Sequence, residues 1–598
     1  MADVSIAQHY HQRTKYDPET LAAKSKSAGL DWSQQPVPYK DYKIGHSVDL
    51  KPYLEKVSER APKKAPEEPS EGASDSANPD FADADWRWWQ RLSRLLIDSY
   101  GLTAKVMTFS GEPMYLRSAP SAGGLYPAEL YVVSRGTSLL PAGLYNYQVR
   151  THSLWRFWDD HPWQDLQAAC FWHPSLETTQ LAIVVTTIFQ RSAWRYQDRA
   201  YRRVLLDSGH LLGNLEVAAT LCDYRPHLIG GFADELVNKL LYLNSEEESA
   251  IALLALADLF QVEQNLPIAR SALPSPIHTG VTAHPDGQLL NYLHQHTLIS
   301  ADSGFGQQQQ KDPNTPIFPV GPASAAAALD TALADTDKSD LSLEDLKSGS
   351  SESESSESND AKSNDSPTDD NSTAVGTPPN QSAPADKYNF PFGITASTKT
   401  VPMAWGDYLA DLEQTLLTRR STRRYIRAPL QKADLFALLD FTYHPNHYQL
   451  QEFDASPDYF DLSLIETFVA VSNVADLEPG CYYYAPQSEE LRQIRFSQFE
   501  KDLHFLCLGQ NLGKDAGAVI FHTADLGRAI AKYGDRAYRY LHMDAGHLGQ
   551  RLNLAATRRD IGVSGIAGFF DDQVNELLSI PSEEAVLYIT TIGKKPIR

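Results

Sequence analysis

Cysteine is scarce in this chain. Its four residues, Cys170, Cys222, Cys481 and Cys507, are scattered without a CxxC pair, so neither a disulfide framework nor a zinc site is indicated. Long apolar runs are missing too, and no stretch approaches the roughly 18 residues needed to cross a bilayer. The first residues, Met1-Ala2-Asp3-Val4-Ser5-Ile6, lack a charged n-region and an apolar core. No signal peptide is read, and a soluble cytoplasmic protein is expected. HExxH, clustered Cys/His ligands, a P-loop and GxGxxG are all absent, which leaves metal and Rossmann readings without a motif. Positive charge is in deficit: 53 Lys and Arg stand against 76 Asp and Glu, a net charge of −23. Phosphate would be repelled over much of such a surface, which argues against sequence-independent nucleic-acid binding.

What is present suffices for sizeable cores. Hydrophobic residues make up 42% of 598 and aromatics 10%, and the length allows about four domains. Much of the negative charge is local. Residues 330–370 hold 13 acids and three lysines in a Ser-rich setting. With Gln307–Gln310, the Ala-rich 323–328 run and the Ser/Glu tract 350–358, this region cannot bury enough apolar surface to offset the entropy of ordering. The sequence therefore predicts a linker over 266–400, largely disordered from about 300 to 387, with a second flexible excursion near 60–80. An acidic docking tail for a partner is the functional alternative to a solvated spacer. Trp86, Trp89, Leu92, Leu95 and Leu96 recur at helical spacing, Leu181–Val185 reads as a strand, and Leu205–Ala219 reads as a buried helix.

The chain repeats itself. At an offset of 337, residues 198–241 and 535–578 align without a gap and are identical at 22 of 44 positions. The same offset pairs Glu129 with Glu466 and Gly143-Leu144-Tyr145 with Gly480-Cys481-Tyr482. One whole domain is duplicated, as 5–265 and 401–598, and two copies in one chain imitate a homodimer with a pseudo-two-fold interface.

One loop carries the chemistry. Arg117-Ser118-Ala119-Pro120-Ser121-Ala122-Gly123-Gly124-Leu125-Tyr126-Pro127 has so little side chain that its backbone can lie flat against a planar ligand. It runs into the strand-like Ala128–Val133. This segment resembles the flavin-contacting loop of the nitroreductase-like family in its SagB-type (McbC-like azoline oxidase) branch, whose pattern is Pro-Ser-Ala-Gly-x-Leu-Tyr-Pro-x-Glu before a strand. Arg419-Arg420-Ser421-Thr422-Arg423 resembles the same family's phosphate clamp, and arginine suits bidentate phosphate contacts. His11–Tyr16 reads as a weaker copy-one version. Gly565-Ile566-Ala567-Gly568 lies in the glycine-rich run Gly562–Phe569, and glycine-rich backbone entering a helix can offer N–H groups to an anion. Copy one has Arg225 and Leu228 where copy two has Gly562 and Gly565. Copy two has Asp458-Tyr459-Phe460-Asp461 where copy one has Ser121-Ala122-Gly123-Gly124.

The resemblance implies an α+β fold in which two nitroreductase-like, FMN-binding domains form a pseudodimer with one complete composite flavin site. Pro120, Ser121, Ala122 and Gly123 would come from copy one. Arg419, Arg420, Ser421, Arg423, Gly565, Ile566, Ala567 and Gly568 would come from copy two. The reciprocal site is expected to be empty or much weaker. Lys532 and Tyr533 resemble the pair implicated in proton transfer in azoline-oxidising members; copy one has Arg195-Tyr196 there, and arginine cannot serve as a base. Asp535, Arg536 and Arg539, kept in both copies, read as a structural ion-pair network, and His210 and His547 as core histidines. FMN-dependent oxidation of a peptide thiazoline or oxazoline is the favoured activity, with partner proteins of a peptide-modifying complex. An NAD(P)H-driven nitro or quinone reductase and a flavin-free scaffold subunit are the alternatives.

Overall fold

The structure is a computed structural model describing residues 4–19, 21, 30–54, 79–108, 111–264, 271–281, 284–305, 386–388 and 394–596. Most of the expected excursion near 60–80, and the expected disorder over 306–385, lie outside the described residues.

Each half holds a seven-stranded sheet with the same strand order. In the first half the strands are β1 (His46–Asp49), β4 (Ala128–Ser134), β5 (Gly143–Gln148), β6 (Ser153–Trp158), β7 (Leu181–Ile188), β8 (Tyr224–Ile229) and β9 (Glu248–Asp258). The hairpin β2 (Leu102–Met107) and β3 (Pro113–Arg117) stands apart. The sheet order is β1-β6-β5-β4-β7-β9-β8. The second half repeats it as β10-β13-β12-β11-β14-β16-β15, built from Thr395–Ser397, Glu490–Arg495, Gly480–Ala485, Glu466–Val471, Ala518–Asp525, Glu584–Gly593 and Gly562–Ile566 in that order. Every neighbouring pair is antiparallel. Glu129 faces Thr186, and their repeats Glu466 and Thr523 face each other.

The central strands are buried on both faces because each sheet feeds two cores. Leu130 and Val132 of β4 point into the large core shared by both halves, whereas Tyr131 and Val133 point into an outer one. That is why Leu130–Val133 reads as a continuous apolar run rather than an alternation.

The shared core forms around two long helices, Ala200–Leu221 and Ala537–Arg558. They cross at Gly209 and Gly546, which occupy the same repeat position. A Cβ on either glycine would overlap a backbone carbonyl of the opposite helix, that of Met543 or Leu206. Reciprocal ion clusters flank this crossing. Arg199 and Arg202 of the first half reach Asp571 of the second at 2.8 and 2.6 Å, and Arg536 and Arg539 reach Asp234 at 2.6 and 2.8 Å. All six side chains are buried, so the arginines shared by the repeat join the halves.

The stretch read as linker begins with ordered structure. Residues 271–281 lie against the second half, and Leu289–His296 is a helix. That helix is the counterpart of Ile6–Arg13 at the start of the chain. Arg199 donates to the Thr14 carbonyl and Arg202 to its hydroxyl, while Arg536 donates to the Thr297 carbonyl and Arg539 to its hydroxyl. His11 meets Tyr538, and His294 meets Tyr201. His11-Gln12-Arg13-Thr14 and His294-Gln295-His296-Thr297 are therefore one repeated element. The segment read as a weak phosphate clamp, His11–Tyr16, thus commits His11, Thr14 and Lys15 to the interface between the halves, while Arg13 pairs with Asp286.

Candidate active site

The Pro120 loop is held open by an acid beneath it. Ser121 Oγ donates to Asp207 Oδ2 at 2.6 Å and the Ala122 N–H donates to Oδ1 at 3.1 Å, while Ser121 Oγ accepts from the Tyr126 N–H at 2.9 Å. Gly123 and Gly124 both take φ of +68°, a left-handed conformation that suits glycine. Burial pushes the Asp207 carboxyl up to about 7 against those hydrogen bonds. Asp544, its repeat, holds the other loop through the Phe460 and Asp461 N–H groups and is likewise pushed up to about 7 by burial.

A cavity lies between the halves. The first half lines it with Pro120, Ser121, Ala122, Gly123, Arg203, Leu206, Asp207 and His210; the second half contributes Ser421, Arg423, Asn553, Ser564, Gly565, Ala567 and Tyr588. Eight of the twelve residues named from the loop, the arginine clamp and the glycine-rich run thus meet across the pseudo-two-fold. The other four stand around them. Arg419 is buried behind the loop and donates to the Ser118 carbonyl at 2.7 Å. Arg420 turns to the carbonyls of Leu417, Arg419 and Thr103. Ile566 is buried in an outer core of the second half, and Gly568 sits against the Arg203 guanidinium.

The donor set suits an anionic, planar ligand. Burial pulls Arg419 down to about 10, and its Nη1 is buried without a hydrogen-bond partner, as are Arg203 Nη1 and Asn553 Oδ1. Arg423 and Arg424 form no ion pair among the described residues. Ser421 and Arg423 also line a second groove, with Arg420, Arg424, Lys594 and Lys595 and with Asp560 as its acid. A phosphate-bearing flavin fits this arrangement, with the flat Pro120 backbone and the unmatched Arg203 nitrogen supplied by one half and Arg423 by the other. Tyr588 donates or accepts at His210 Nε2, 3.1 Å away, and burial holds that imidazole down to about 4.

Lys532 and Tyr533 are not at this cavity. Lys532 forms an ion pair with Asp461, and the Tyr533 hydroxyl donates to the same carboxylate at 3.0 Å, beside the second-half loop. Their repeats, Arg195 and Tyr196, stand at the first loop, where a Cβ on Gly123 would come within 2.8 Å of the Tyr196 hydroxyl. The Arg203 guanidinium lies 3.9 Å over the Tyr196 ring and 3.4 Å from the Tyr16 hydroxyl. Burial raises the Tyr196 phenol. For Tyr16 burial acts upward, but Arg203 and Arg199 outweigh it and leave that phenol below its ordinary value.

At the reciprocal position protein fills the space. Asp458 is buried against Arg225 at 3.0 Å and accepts the Leu228 N–H at 3.0 Å. Tyr459 stacks on His547, and Phe460 on Tyr540, which replaces Arg203. Sequence reading missed Arg203, Asp207, Asn553 and Tyr588. Only Asp207 carried a signal, its identity with Asp544.

The site is thus an inter-half basic cavity in a duplicated α+β fold, and comparison with known proteins gives that class its family. The nitroreductase family model matches residues 97–257 and 416–594, more than half of the chain, and the chain belongs to that family of oxidoreductases. A crystal structure of a protein assigned as a nitroreductase from Anabaena variabilis ATCC 29413 is 53% identical, covering 99% of this chain and 100% of that one, with a TM-score of 0.79. A protein of Methanocaldococcus jannaschii, also assigned as a nitroreductase, is 30% identical over 184 residues, 31% of this chain and 91% of its own. The trifolitoxin-processing protein TfxF of Rhizobium leguminosarum bv. trifolii is 30% identical over 133 residues, 22% of this chain and 43% of its own length.

Proposed function

We propose that this chain is an FMN-dependent oxidoreductase carrying one flavin between its halves. The observation that carries the reading is the cavity itself, where the flat Pro120 loop of one half faces Ser421, Arg423 and Gly565 of the other, with buried guanidinium nitrogen left unmatched. Arg203 and Arg423 would hold the anionic parts of the cofactor, Arg419 would brace the loop from behind, and the basic groove that shares Ser421 would take its phosphate. When bound, flavin supplies the exchange of hydride with substrate. Proton transfer falls to the phenols of Tyr196 and Tyr16 beside the cavity; Lys532 and Tyr533 stand at the filled position.

Oxidation of a thiazoline or oxazoline in a peptide is the favoured reaction. It is supported by the SagB-like Pro-Ser-Ala-Gly loop and by similarity to a trifolitoxin-processing protein. Reduction of nitro or quinone compounds by NAD(P)H is the second reading, favoured by the basic groove, which can also receive a nucleotide's phosphates.

Purified protein should be yellow and release about one FMN per chain, as a single composite site requires. The triple variant Ser121→Asp/Ala122→Tyr/Gly123→Phe should lose the flavin while remaining folded. Colourless wild-type protein after reconstitution with FMN would turn the reading toward a scaffold subunit. Flavin reduction by NAD(P)H alone favours the reductase; turnover only with a heterocycle-bearing peptide favours the azoline oxidase.

A further inference from the structure

The Pro120 loop ends on a strained residue. Tyr126 takes φ 46°, a left-handed conformation that is costly for a bulky side chain and persists only where its surroundings hold it. Its N–H closes the loop onto Ser121 Oγ at 2.9 Å, and its hydroxyl accepts the Arg117 N–H at 3.0 Å. Its carbonyl accepts from Arg191 Nη1 at 3.0 Å, and the same nitrogen forms an ion pair with Glu129 at 2.6 Å. Both charged side chains are buried, Arg191 at 3% and Glu129 at 4% exposure. Glu129 lies in β4, directly after the loop, and Arg191 lies in the helix Phe189–Tyr196 that follows β7.

The second half lacks this brace. Glu466 stands at the position of Glu129 in β11, and Arg528 at that of Arg191 in the helix Leu526–Tyr533. Arg528 is exposed and forms no ion pair among the described residues. Glu466 instead accepts the Tyr483 hydroxyl at 2.9 Å, and Tyr483 stands where the first half has Asn146. A carboxylate at this place in the sheet can therefore be satisfied without arginine, so the fold itself does not require the pair. The pair forms in the half whose loop lines the cavity.

We propose that Glu129 and Arg191 are positioning residues for that loop. Their ion pair holds the Tyr126 carbonyl, and through it keeps the backbone of Ser121–Gly124 in the shape that receives the flavin. This deepens the flavin reading above and rests on it for the ligand, though not for the loop. A buried guanidinium fixed by a carboxylate cannot swing away from the carbonyl. The loop is thus ordered during folding, and its ordering does not weaken binding.

The test uses the full chain, with and without FMN, and two pseudo-symmetric double variants. Glu129→Gln/Arg191→Gln removes both charges together, so that neither is left buried alone. Glu466→Gln/Arg528→Gln makes the same change in the second half. Without FMN, hydrogen exchange over residues 118–127, followed by mass spectrometry, should quicken about tenfold in the first variant and stay unchanged in the second. Fluorescence titration should show the FMN dissociation constant raised about tenfold in the first variant alone, with the visible circular dichroism of the bound flavin altered. Arg191→Lys, which keeps a cation beside Glu129 and Tyr126, should restore most of both. Glu129→Gln alone, a milder change for use if the double variant does not fold, should move exchange and affinity in the same direction by a smaller factor. Unchanged exchange and affinity in the first-half variants, or equal losses in both halves' variants, overturns the proposal even where the wild type binds FMN. Faster loop exchange in the first-half variant, together with a wild type that takes no FMN, upholds the brace and sinks the flavin reading instead.

Discussion

Asp207 shows how one buried acid ties loop geometry to pH. Its carboxyl is pushed from about 3.8 up to about 7 by burial, although Ser121 and the Ala122 N–H favour the charged form. Because the folded value lies above the unfolded one, this group's contribution to stability is full below about 4 and is lost as pH rises through about 7. At about 1.4 kcal/mol per pH unit, the loss is on the order of a few kcal/mol, and Asp544 adds its own. Asp207→Asn keeps the shape and removes the titration. Its melting temperature should therefore fall less than that of the wild type between pH 5 and 8. Parallel melting profiles for the two proteins would show that the acid does not titrate in this range. The loop above it was legible because its chemistry lies in one run of residues. Asp207 was visible only as an identity between copies, and Arg203 not at all, because a charged residue inside a buried helix shows its partners only when distant elements are brought together.

At the scale of elements, the crossing of Ala200–Leu221 with Ala537–Arg558 sets two effects against each other. Gly209→Ala should gain helix propensity worth about 1 kcal/mol. The added methyl, however, meets the Met543 carbonyl and the Gly546 backbone of an equally buried helix, and backbone cannot swing aside as a side chain can. Overpacking of this kind costs about 1–3 kcal/mol or more, so the variant should be destabilised by about 2 kcal/mol, read as a lower denaturant midpoint. A stabilised variant would show that the helices can part without loss. The duplication itself was legible over 198–241 and 535–578. The N-terminal helix escaped because its offset is 283 rather than 337, the linker region having lengthened the second copy after its first helix. The stretch at 271–278 escaped for another reason: with Pro274 and Pro276 among small and polar residues it shows neither a helical nor a strand period.

At the scale of the molecule, the two copies belong to one compact unit, and the cavity exists only while they stay together. Asp234 tests that dependence because it lies on the filled side, away from the cavity, and joins the halves through Arg536 and Arg539. Asp234→Ala leaves both guanidinium groups buried without a counter-charge, which costs about 3–5 kcal/mol. If the halves hold the flavin jointly, part of that loss must appear as weaker FMN binding, because loosening the interface separates the Pro120 loop from Ser421 and Gly565. The expected result is a lower melting temperature together with at least a tenfold rise in the FMN dissociation constant, measured by fluorescence titration below the transition. Asp571→Ala, the pseudo-symmetric change, should do the same more strongly, since Asp571 also accepts the Tyr16 N–H beside Arg203. A protein that melts earlier yet binds FMN with undiminished affinity would mean that each half shapes its own part of the cavity, and that the pairing serves stability alone.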